Sequence, residues 1–112
     1  MTMPANIRAV AVIVVRDGEL PAGADETVAE AGGAALVLGS GTRQAASLLD
    51  AASRVWLLER SSVAPGAVAA ALAQVLAGVP MVLLPASPDG RDLAPRLAVV
   101  LGRTLLALSL IH

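Results

Sequence analysis

Short apolar runs alternate with helix-period segments from one end of this chain to the other, and this alternation limits the possible folds more than any other feature. Residues 9–15 read Ala-Val-Ala-Val-Ile-Val-Val and are closed by Arg16 and Asp17. An unbroken, β-branched run of that length suits a strand covered on both faces, as the strands of a parallel sheet are. The pattern returns at 34–38 (Ala-Ala-Leu-Val-Leu, ending at Gly39), at 55–58 (Val-Trp-Leu-Leu) and at 81–84 (Met-Val-Leu-Leu, ending at Pro85), and 104–111 is a fifth candidate strand.

Between these runs the period moves toward 3.6. Ala45, Leu48, Leu49 and Ala52 form one apolar stripe, Val68, Leu72, Val75 and Leu76 a second, and Leu93, Leu97, Val100 and Leu101 a third, with Gly102 placed to stop that helix. The first connection is less regular: it holds a short helix at 25–31, while Gly18, Pro21 and Gly23 make much of 17–33 a loop. Alternating strands and helices with crossovers of this length imply parallel strands, right-handed connections and helices on both faces. The expected fold is therefore a single α/β domain over residues 1–112. It has three layers, αβα, around a mainly parallel, Rossmann-like sheet of about five strands.

Composition removes several classes of function. The 112 residues include no cysteine, which excludes a disulfide framework, a thiolate nucleophile and an iron–sulfur cluster. Eight basic residues, all arginine, face nine acidic ones, and this balance gives no footprint for a polyanion. Trp56 is the single aromatic residue, so there is no set of platforms on which single-stranded bases would stack. Nucleic acid is not an expected partner. Residues 61–88 carry no charge and are long enough to cross a bilayer, but the stretch is rich in alanine and broken by Pro65, Gly66, Gln74, Gly78, Pro80 and Pro85. It reads as a helix followed by a strand, and no membrane insertion is expected. The run 9–15 is short, β-branched and directly followed by Arg16, Asp17 and Glu19, so it reads as a buried first strand rather than a signal-peptide core, with Ala22-Gly23-Ala24 the one feature in favour of a cleavage site. The absence of cysteine makes a cytoplasmic location the expected one.

Ligands of open parallel sheets meet the chain at the carboxyl ends of the strands, and three loops there carry polar residues. Gly39-Ser40-Gly41-Thr42-Arg43-Gln44 follows a strand and opens a helix, the setting of a dinucleotide fingerprint. The match is partial: Gln44 stands in place of the third glycine, and Glu59 is the nearest candidate acid for holding a ribose. Glu59-Arg60-Ser61-Ser62 reads as a solvated turn in which Ser61 or Ser62 caps the next helix and Pro65 lies in its first turn. No histidine or other activating group accompanies these serines, and His112, the only histidine, is terminal and expected to be exposed. In 85–98, Ser87, Asp89 or Asp92 can cap a helix start, Pro95 is tolerated near the first turn, and Arg91 and Arg96 lie near the strand ends. Gly39, Gly41, Ser87, Gly90 and Arg91 are the loop candidates for contact with a cofactor. No catalytic residue and no metal-ligand set is expected.

The run 83–98, above all Gly-Arg-Asp-Leu-Ala-Pro-Arg-Leu-Ala at 90–98, resembles the signature of the N-terminal domain of electron transfer flavoprotein alpha subunits. The resemblance extends back through Val37-Leu38-Gly39-Ser40-Gly41 to the opening strand. The shortened first crossover resembles the compact variants that accompany the mycofactocin redox system. Val99 and Val100 stand where the family commonly has an Ala-Arg pair. A solvent-facing position 100 would move the buried stripe of this helix to Ala94, Leu97, Ala98 and Leu101.

What the resemblance implies is a noncatalytic scaffold domain, part of an alpha–beta heterodimer that carries electrons from flavin dehydrogenases toward the respiratory chain. The C-terminal FAD-binding domain of an alpha subunit is expected to be absent from this chain, as in a fragment or truncated product, and FAD to be bound elsewhere. The beta subunit is the expected partner. The same topology also resembles adenine nucleotide alpha hydrolase-like domains of the universal stress type, which leaves a small nucleotide-binding module as the alternative, with 39–42 and 87–91 as its phosphate-facing loops.

Overall fold

The computed structural model describes residues 3–62, 64–102 and 107–109. Strands β1 (Ala9–Val15), β2 (Ala34–Gly39), β3 (Arg54–Glu59) and β4 (Met81–Pro85) form the body of an all-parallel sheet. A three-residue strand, β5 (Ala107–Ser109), pairs with β4 and completes the order β3-β2-β1-β4-β5. The expected sheet of about five strands thus reduces to four full strands with a short edge segment. The rest of the 104–111 run, and His112, lie outside the described residues.

Helices α1 (Ala24–Glu30) and α2 (Thr42–Ala46) join β1, β2 and β3, while α3 (Pro65–Leu76) and α4 (Pro88–Leu101) follow β3 and β4. The two-residue period of β1 divides the core. Val10, Val12 and Val14 pack with Leu36, Leu38 and Leu84 under the α3 and α4 residues Leu72, Leu76, Leu93 and Leu97. Ala11, Ile13 and Val15 pack on the other side with Val37 against Val28 of α1 and Ala45 of α2. Three layers result, as expected. Each fully buried valine, leucine or isoleucine contributes about 1.5–3 kcal/mol relative to exposure, and most of the stability resides in these two clusters.

The connections explain the layers. The chain steps from β1 to β2 to β3 in one direction, then returns past β1 to β4, and right-handed crossovers in opposite directions put their helices on opposite faces. The strand order therefore reverses between β1 and β4. Helix α4 starts where Ser87 is the N-cap, its Oγ accepting the Gly90 N–H at 3.2 Å, with Pro88 in the first turn; it stops at Gly102, φ 64°.

Several local expectations are corrected. Helix α2 ends after five residues, so the 3.6 period no longer applies beyond Ala46: Ala45 and Leu49 are buried but Leu48 is 56% exposed. Strand β3 is not covered on both faces. It lies at the sheet edge: on the face of the short α2, Val55 is 38% exposed and Leu57 half-buried, and on the opposite face Trp56 and Leu58 are half-buried against the α3–α4 side of the core. Helix α4 buries Leu93, Ala94 and Leu97, while Val99 and Val100 are 79% and 47% exposed, so the stripe containing Val100 is rejected. Pro95 sits in the helix interior rather than its first turn, and it offers no N–H to the Arg91 carbonyl one turn back. Neither Ser61 nor Ser62 is the N-cap of α3; that position is Ala64, and the Ser62 hydroxyl accepts the Ala64 N–H at 3.4 Å. Pro65 does occupy the first turn. Among the described residues no helix is long and apolar enough to cross a membrane.

Candidate functional site

The polar residues concentrate where the strands end at their carboxyl edge. Strand β1 leaves the sheet through Arg16-Asp17-Gly18-Glu19, a tight turn closed by the Glu19 N–H on the Arg16 carbonyl at 3.0 Å. Asp17 and Gly18 both have positive φ, 51° and 77°, as the two central residues of such a turn require, and Asp-Gly is a pair that accepts this at little cost. The left-handed Asp17 is therefore turn chemistry rather than stored strain. Its N–H donates to Ser40 Oγ at 2.8 Å, and the Gly18 N–H donates to the Ser40 carbonyl at 2.9 Å.

Strand β2 ends in Gly39, whose φ of 136° and close neighbour exclude any side chain: a Cβ there would lie 1.9 Å from the Val15 carbonyl oxygen. The chain then turns through Ser40 and Gly41 into α2. The N-cap residue Gly41 has no side chain to satisfy the first amides of that helix. Glu59, the last residue of β3, satisfies them from the neighbouring strand. Its Oε2 accepts the Gly41 N–H at 2.9 Å, and its Oε1 accepts the Thr42 N–H at 3.0 Å and the Thr42 hydroxyl at 2.7 Å. The Thr42 N–H, then the Thr42 hydroxyl and then the Gly41 N–H hold the Glu59 carboxyl below the usual carboxylate range.

Strand β4 passes into α4 through Ala86 and Ser87. Gly90 lets the first turn of α4 lie against the strand end, because a Cβ there would come 2.0 Å from the Pro85 carbonyl oxygen. Arg91 Nε donates to the Ala86 carbonyl at 3.2 Å. Asp89 does not cap its helix; it accepts two hydrogen bonds from Arg16, at 3.0 Å from Nε and 2.9 Å from Nη2. This pair bridges β1 and α4 at the position where strand order reverses, the usual ligand crevice of such sheets. The hydrogen bond to Asp89, followed by its charge, raises the Arg16 pKa further. Two open clefts flank Arg16. One, of about 440 Å³, runs past Asp17 and Ser40 to Ser61, Ser62 and Pro65; the other, of about 460 Å³, lies between Leu20 and Ala86.

The sequence candidates therefore fall into two groups. Gly39 and Gly41 shape the β2 exit, and Ser87, Gly90 and Arg91 shape the start of α4; the described contacts of Gly39, Ser87, Gly90 and Arg91 are with the chain's own backbone, and the Gly41 N–H is held by the Glu59 carboxylate. Glu59 joins the first group as the capping carboxylate of α2. The Arg16–Asp89 pair is not legible from sequence, since 73 residues separate its members and Asp89, within the 83–98 signature, reads there only as a candidate helix cap. Glu59 carried a weak signal: a Gly-Thr helix start with no capping side chain of its own needs an acceptor, and the next strand ends in one. Chemically the edge holds carboxylates engaged by donors and hydroxyls without an activating base. Among the described residues no group of three or more His, Asp or Glu could hold a metal ion.

Over residues 26–108 the chain matches the family model of the electron transfer flavoprotein domain. No curated protein and no solved structure matches it.

Proposed function

The chain belongs to the electron transfer flavoprotein domain family, and from that premise we propose that it is the noncatalytic N-terminal scaffold domain of an alpha subunit, of the compact type associated with the mycofactocin system by its shortened first crossover. In this reading it works in the cytoplasm beside a beta subunit, in a complex that carries electrons from flavin dehydrogenases toward the respiratory chain. The observation that carries the reading is the family match across residues 26–108, which includes the α4 start that first suggested an alpha subunit.

Flavin is the group this family implies, and the carboxyl edge of the sheet does not fit it. A dinucleotide bound in the ordinary way places its pyrophosphate on the amides that open the helix after a Gly-rich turn. Here those amides, on Gly41 and Thr42, are taken by Glu59, and a phosphate would meet its negative charge. Arg16, the cation on the β1 side of the reversal point, is engaged by Asp89. The same two features count against the universal-stress type of nucleotide module. The flavin is therefore assigned to another part of the complex, and this chain contributes surface and support.

Coexpression decides the matter. The chain is produced alone, and then with a beta subunit and a flavin-carrying alpha C-terminal domain, and each sample is followed by flavin absorbance on gel filtration. The lone chain is expected to be colourless and to co-elute with a yellow complex when the others are present. A chain that never enters the complex overturns the scaffold reading.

A further inference from the structure

Glu59 holds together parts of the edge that the rest of the sheet secures poorly. It ends β3, the strand with the least buried side chains of the four full ones. The last ladder bond from the β3 end runs from the Arg60 N–H to the Gly39 carbonyl at 2.7 Å. Immediately beyond it, the Glu59 carboxylate accepts three hydrogen bonds, and all three partners are donors. Ser40, next to Gly41, binds the Asp17 and Gly18 amides, and Arg16 reaches Asp89. A line of hydrogen bonds thus crosses the edge from β3 through the β2 exit and the β1 turn to α4.

We propose that Glu59 is the positioning residue of an acid-released clip: its carboxylate holds the β2–α2 loop against the end of edge strand β3, and protonation frees both together. The chemistry follows from the donor set. A neutral carboxyl is a weaker acceptor, and its own O–H faces donors, so the arrangement favours the charged form. Charged groups on the surrounding elements do not substitute for it. The Arg60 guanidinium donates to the Glu59 carbonyl at 2.8 Å rather than to its carboxylate. Arg43 on α2 is exposed, and the Asp17 carboxylate across the β1 turn accepts a bond from Ser40 at 3.4 Å. Because the Glu59 pKa is lowered by folding, the clip is closed above the ordinary carboxylate range and opens as pH falls through the lowered value.

The test is amide hydrogen exchange, read as protection factors by NMR on the full chain between neutral pH and about pH 3, in the range where carboxylates titrate, with the side-chain carboxyl shift of Glu59 followed alongside. Protection at Gly41 and Thr42 is expected to fall in step with that titration, while Val37 in the centre of β2 stays protected. Glu59→Gln should remove protection at both amides across the whole range, and Thr42→Ser, which keeps the hydroxyl, should retain the native profile. Should Glu59→Gln fail to fold, the native profile decides alone. Protection that stays flat through the Glu59 titration, or a Glu59→Gln profile matching the native one, overturns the clip.

Discussion

At the scale of single residues, the edge depends on glycines that allow backbone to meet backbone. Gly39 is the most demanding, since it combines positive φ with the Val15 carbonyl where a Cβ would have to sit. No side-chain movement can relieve that contact, because the obstructing atom belongs to the central strand. Gly39→Ala is therefore expected to cost about 2–4 kcal/mol, the range of strained backbone substitutions. Gly78→Ala is the control: its Cβ would have nothing within 4 Å, and its cost should stay within about 0.5 kcal/mol. Urea denaturation midpoints compare the two. Equal midpoints would mean that β1 and β2 separate at their ends without penalty. The same chemistry explains why the sequence alone located this residue but not its role. Gly-Ser-Gly after a strand marks a turn, and only the structure shows that the loop's amides are filled by Glu59 from the neighbouring strand.

At the scale of elements, β1, β2 and β4 were readable because burial on both faces leaves a continuous apolar run. Their observed limits, Ala9–Val15, Ala34–Gly39 and Met81–Pro85, follow those runs closely. Edge strand β3 carries the same kind of run without the same burial, since Val-Trp-Leu-Leu does not say how many neighbours the strand has. Helix α2 was overestimated for a related reason: Leu48 extends a 3.6-residue stripe in sequence after the helix itself has ended. In α4 the period was right and its phase was ambiguous, with leucines and valines on more than one side. Mutation separates the sides. Leu97→Ala should cost about 2–5 kcal/mol, because a fully buried side chain leaves a cavity between α4 and the sheet. Val100→Ala should change stability by no more than about 0.5 kcal/mol, since Val100 is already substantially exposed. Comparable losses at both positions would put Val100 back into the buried stripe.

At the scale of the molecule, a fold whose crevice is widely used to bind nucleotides has that crevice engaged by its own side chains. Two carboxylates do this in different ways: Glu59 satisfies helix amides, and Asp89 satisfies the Arg16 guanidinium beside the strand-order reversal. A phosphate seated on the Gly41 and Thr42 amides would have to displace Glu59, which is already matched to those donors. Ligand present at 100 times its dissociation constant would stabilise the folded chain by about 2.7 kcal/mol. For a domain of this size that is a rise in melting temperature on the order of 10 °C, well above the error of a thermal scan. Titration of the isolated chain with FAD, and separately with AMP, is accordingly expected to leave its melting temperature unchanged at neutral pH. A rise of that size with AMP alone would restore the nucleotide-module reading and require Glu59 to move aside. With FAD alone it would place flavin contacts on this chain and remove the reason for assigning the cofactor to another part of the complex.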